Sequence, residues 1–81
     1  MTRQEQMVCL QDILAEHEIV AHLTEDTRLK EDLEMDSLDF VDIVFDILTI
    51  FGVKVEAREM GECKTVGDLL DYIQSRNTKS N

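Results

Sequence analysis

Ser37 is the side chain with the clearest chemical opportunity. It stands at the start of an apolar-periodic run, next to Asp36, with Asp39 two residues on. Asp36 is a good helix N-cap and Asp39, at the third helical position, suits the positive end of the helix dipole. A hydroxyl placed there lies beside unpaired backbone N–H groups that can hold an anion such as a phosphate diester. Ser beside Asp at a helix start is, taken alone, more often plain capping than a modification site. A calcium loop over Asp32, Glu34 and Asp36 fails, because its sixth position is Ser37 instead of glycine and its twelfth is Ile43 instead of glutamate. His17 and His22 lack a set of zinc partners and read as surface or capping residues, so no metal site is expected. Ser37 has no histidine near it in the sequence, which argues against a nucleophilic enzyme; no catalytic residue is assigned. Cys9 and Cys63 have neither metal-knuckle nor redox spacing and read as two small, buried or half-buried thiols.

The elements that would position Ser37 follow from composition and period. Eighty-one residues hold one core, so a single domain over 1–81 is expected. With 43% hydrophobic and 32% charged residues the chain belongs to the globular class, and no proline with only three glycines points to helices. Met7, Leu10, Ile13 and Leu14 recur at helical steps between Gln4 and about His17. The stretch from Glu18 to Met35 keeps no period and reads as a long ordered connection pinned by Ile19, Val20, Leu23, Leu29 and Leu33. A second helix runs from Asp36 or Ser37 to Phe51, where Gly52 ends it. Val53 and Val55 form an extended link, 57–60 one helical turn before Gly61, and Thr65 caps a last helix carrying Val66, Leu69, Leu70 and Ile73. The tail at about 77–81 is polar and expected to fray. The fold class is all-α: a small four-helix bundle of three main helices and one short one, with a long first loop.

Advancing about 100° per residue from Ser37 divides the second helix into three stripes. Phe40, Ile43, Val44, Ile47, Ile50 and Phe51 make a core arc. Asp39, Asp42, Asp46 and Thr49 make a polar stripe, and Leu38, Val41, Phe45 and Leu48 a second apolar one beside Ser37. So small a domain cannot easily bury two faces of one helix, so the second apolar stripe is expected at the surface, where partners bind.

The run Glu31-Asp32-Leu33-Glu34-Met35-Asp36-Ser37-Leu38-Asp39-Phe40-Val41-Asp42 resembles the attachment motif of acyl carrier proteins. Phe51-Gly52-Val53 is similar to that family's second-helix end, and Thr65 to Ile73 to its last helix, so the likeness spans about Leu10 to Ile73. It implies that a phosphopantetheinyl transferase places 4'-phosphopantetheine on Ser37, with Asp36 and Leu38 as the flanking motif residues, and that the arm's thiol carries acyl groups as thioesters for fatty-acid or related polyketide-like biosynthesis. Val41 and Phe45 match that family's partner-facing positions; with Leu38 and Leu48 of the same apolar stripe, and with Asp39, Asp42 and Asp46 as the candidate charges, Asp46 falling where the family is often uncharged, they make the partner face expected to meet synthases and transferases with basic docking patches. Aminoacyl, D-alanyl or peptidyl carriers, and an unmodified helical adaptor, are the alternatives.

Net charge suits such a role. Eighteen acidic against eight basic residues give −10, which repels nucleic acid and anionic lipid surfaces. Nine of the acids lie between Glu25 and Asp46, a concentration that speeds encounters and weakens with salt. No apolar run reaches membrane-span length and no secretory signal is read, so a cytoplasmic monomer is expected. Three departures from the family stand out: Glu34 where it usually has glycine, Leu48-Thr49-Ile50 in place of a glutamate run, and Glu56-Ala57 without the frequent proline.

Overall fold

The computed structural model describes residues 2–77, with the side chain of Asn77 excepted. Four helices follow one another: α1 (Arg3–Glu16), α2 (Ser37–Phe51), α3 (Ala57–Met60) and α4 (Val66–Asn77). Strands are absent among the described residues, where one isolated antiparallel bridge joins Arg28 to Thr65. Part of the tail expected to fray lies outside the described residues; Asn77 itself closes α4.

Each long helix begins on a reciprocal cap that satisfies otherwise orphaned amides. Thr2 Oγ1 accepts from Glu5 N–H while the Glu5 carboxylate accepts from Thr2 N–H. Asp36 and Asp39 make the same exchange at α2, and Thr65 and Asp68 at α4. At its end α1 closes through two backbone bonds, Ile19 N–H to Leu14 O and Glu18 N–H to Ala15 O, with Glu18 in the left-handed conformation at φ 65°. Gly52, at φ 70°, closes α2 as the sequence suggests.

The core draws on every element: Leu10, Ile13 and Leu14 from α1, Phe40, Ile43 and Ile47 from α2, Met60 from α3, Leu69, Leu70 and Ile73 from α4. Burying one such side chain is worth roughly 1.5–3 kcal/mol. Leu23, Leu29 and Leu33 pin the long connection as expected, and Val53 and Val55 bury the link after α2. Val20 does not pin it; the side chain is 85% exposed. Residues 19–23 alternate inward and outward, as an extended segment must, and Val20 falls on the outward phase. Ile50 is also a correction, 44% exposed despite its place on the core arc. His17, the residue capping α1, meets Asp46, and Ile50 lies one turn farther along α2, past that junction.

The connection is tied to the start of α4 by Leu29 N–H to Lys64 O, Val66 N–H to Thr27 O and Gly67 N–H to Glu25 O. Gly67 lies close on Glu25: a β-carbon there would stand 2.6 Å from Glu25 Oε1, which would have to move, and 3.0 Å from Glu25 O. Arg3 reinforces the junction, donating to Glu25 at 2.6 Å and to Gly67 O at 3.2 Å, and pairing with Asp71 at 2.9 Å. That Arg3 contact holds the Glu25 carboxylate below its ordinary pKa.

Candidate functional site

The approach to Ser37 is set by alternation. Leu33 and Met35 are buried, so Glu34 and Asp36 face outward, and the chain enters α2 with its first residue at the surface. The turn also needs Glu34 at φ 57°. The position keeps the left-handed backbone natural to glycine while carrying a β-carbon.

Ser37 is exposed and opens onto a cleft of about 280 Å³ between the connection, α2 and α3. Phe40 and Ala57 contribute apolar wall, Gly61 a low edge, and Lys30 and Arg58 cationic borders. The helix-end amides are less available than the sequence reading supposes. Asp36 Oδ1 already accepts from Leu38 N–H at 3.0 Å and Asp39 N–H at 3.1 Å. Among the described residues the Ser37 N–H remains without an acceptor. A phosphate group on the Ser37 hydroxyl fits this setting: the oxygen is open to solvent, space adjoins it, and two cations border that space against one carboxylate, Glu62.

The second apolar stripe is open. Leu38 is 73% exposed, Val41 57%, Phe45 71% and Leu48 41%. Asp42, also exposed, joins them on one side of α2. The other two acids of the polar stripe have internal work: Asp39 accepts from Asp36 N–H at 3.0 Å, and Asp46 lies 2.7 Å from His17 Nε2. His17 and Asp46 therefore join the end of α1 to α2, a link that spacing alone does not reveal.

The cysteines differ from a reactive pair. Both are half-buried and free. Burial first, then the carboxylates of Asp68, Glu62 and Asp71, push the Cys63 thiol up to about 11. Among the described residues no group of three His, Cys, Asp or Glu side chains converges as a metal site. No helix among them is long and apolar enough to cross a membrane.

Sequence reasoning passed over Lys30 and Arg58. Their signal was available as two cations in an acidic chain, but only folding brings position 58 beside position 37.

Comparison with known proteins covers most of the chain. The family described as phosphopantetheine attachment site matches residues 8–73. The chain is 43% identical over 56 residues to the acyl carrier protein of Thermotoga maritima, covering 69% of each. It is 31% identical over 77 residues to the acyl carrier protein of Lactobacillus johnsonii, covering 93% of this chain and 96% of that one. With the acyl carrier protein of Exiguobacterium sibiricum it shares 32% identity over 78 residues, 94% and 99% of the two lengths.

Proposed function

The chain belongs to the phosphopantetheine-attachment family as an acyl carrier protein, and on that premise we propose that Ser37 bears the arm and that the open stripe of α2 is the surface its partner enzymes grip. The arm's thiol supplies the thioester linkage to the acyl group. The observation that carries the assignment is the exposed hydroxyl of Ser37 at the first position of α2, above an adjoining cleft.

The protein's own part is mechanical and electrostatic. Asp36 fixes the helix start, so that the Ser37 side chain is held outward for the transferase. Lys30 and Arg58 offset the charge of a phosphate diester at that hydroxyl. Leu38, Val41, Phe45 and Leu48 offer apolar area to a partner, and Asp42 offers charge to its basic patch. Long-range attraction between an acidic carrier and basic partners gives rapid capture, while a small contact lets each partner release it.

Leu48 lies where the family commonly has a glutamate run, and it extends the apolar stripe by one turn. This favours partners with a more apolar docking surface, in a dedicated pathway. Leu48→Glu should shift binding from pathway-specific synthases toward general fatty-acid ones; an unchanged preference removes this part of the reading.

Attachment is tested by incubating the apo protein with coenzyme A and a broad-range phosphopantetheinyl transferase and weighing the product. The intact chain should gain the arm, the peptide containing Ser37 should carry it, and Ser37→Ala should gain nothing. No gain in the parent would favour an unmodified helical adaptor. Loading with acyl, aminoacyl and D-alanyl donors then separates an acyl carrier from the other carrier classes.

A further inference from the structure

The cleft at Ser37 does not end at α3. It shares Lys30, Gly61 and Glu62 with a larger groove of about 550 Å³ that continues toward the start of α4. Four of the chain's eight Lys and Arg residues border the combined path: Arg28, Lys30, Arg58 and Lys64. Two carboxylates, Glu31 and Glu62, border it with them. In a chain of net charge −10, cations outnumber acids here by two to one.

The cations are also largely uncommitted. Arg28 pairs with Glu31 at 3.4 Å and Asp32 at 3.2 Å, which neutralises it. Lys30, Arg58 and Lys64 have no ion pair among the described residues, whereas Arg3 and Arg76 are paired outside the groove. Three unpaired positive charges therefore face a path that begins at the serine hydroxyl.

We propose that this groove receives the tethered cargo and that its cations favour acyl groups ending in a carboxylate over neutral acyl groups of the same length. The inference rests on Ser37 bearing the arm. A carboxylate elsewhere on this surface meets a predominantly negative field, and in the groove it meets Lys30, Arg58 and Lys64 against the one unpaired carboxylate of Glu62. A single exposed ion pair is weak, but the tether removes the cost of bringing the two charges together from solution and holds the head group at high effective concentration. A neutral alkyl chain gains nothing from those charges.

The test compares two four-carbon cargoes on the intact protein. Butyryl- and succinyl-coenzyme A serve as donors for a broad-range phosphopantetheinyl transferase, and mass spectrometry verifies loading at Ser37 first. Amide resonances at 61–65 then report occupancy of the groove. The ratio of docked to free head group should be about 1.4- to 5-fold higher for succinyl than for butyryl, the range of one exposed ion pair. The difference should fade with added salt and vanish in the triple variant Lys30→Gln, Arg58→Gln, Lys64→Gln. Arg58→Lys, which keeps the charge, should retain most of it. Equal occupancy by the two cargoes, or a difference that survives the triple variant, overturns the proposal. Failure to load the parent at all would instead strike the attachment assignment, and this inference with it.

Discussion

Replacing Glu34 by glycine should stabilise the protein, and the amount can be worked from its backbone. Glu34 holds φ 57°, where an L-residue pays roughly 1–2 kcal/mol for the approach of its β-carbon to the following carbonyl. Its side chain is exposed and has no ion pair or hydrogen bond among the described residues, so no contact is lost on removal. Against the relief stands the greater freedom of glycine in the unfolded chain, about 0.4–1 kcal/mol. The net expectation is a gain of about 0.5–1 kcal/mol, or about 2–8 °C in Tm for a domain of this size. The substitution also removes one negative charge between Asp32 and Asp36, and Glu34→Gln isolates that contribution while leaving the β-carbon in place. Urea denaturation of the three proteins at one salt concentration separates the two effects. A glycine variant no more stable than the glutamine variant would refute the strain argument.

Other consequences follow from the caps, the buried thiol and the loop junction. Asp36→Ala removes the acceptor for Leu38 and Asp39 N–H and should cost about 0.5–2 kcal/mol in chemical denaturation, while Asp36→Asn, which can still cap, should cost clearly less. Cys63, raised from 9.0 to about 11, should be alkylated by iodoacetamide at pH 8 about 10-fold more slowly than an unperturbed thiol, its smaller thiolate fraction being offset in part by higher nucleophilicity; peptide mapping of the apo protein that found ordinary reactivity would contradict its burial. Glu25 has its pKa lowered by Arg3, so its contribution is fully present above the ordinary value of 4.5 and is lost as pH falls through the depressed one. Arg3→Met should therefore lower Tm at pH 7, and the gap from the parent should narrow in acid; a gap independent of pH would mean that the guanidinium acts through packing alone.

The local order of the chain was legible before any fold was known. Asp36, Asp39, Thr65 and Asp68 announce helix starts because short acidic and hydroxyl side chains satisfy first-turn amides wherever the helix is placed. Gly52 announces a helix end because its left-handed backbone is a local preference. Leu38, Val41, Phe45 and Leu48 could be assigned to the surface by period and by the limited covering capacity of a small domain. The same wheel failed at Ile50, and the list of loop anchors failed at Val20, since neither period nor hydrophobicity says where a neighbouring element stops or which phase of an extended segment faces inward.

The residues by themselves determined the helical order, the capped start of α2 and the likeness around Ser37, because these depend on interactions within a few positions of the chain. Only the tertiary structure placed Arg58 of α3 beside Ser37, joined that cleft to Arg28 and Lys64, and drew Asp46 to His17. Arg58, Lys64 and the His17–Asp46 pair are joined across 21 residues or more, and these juxtapositions arise from packing one apolar core, which brings charged side chains together without any local pattern to record it.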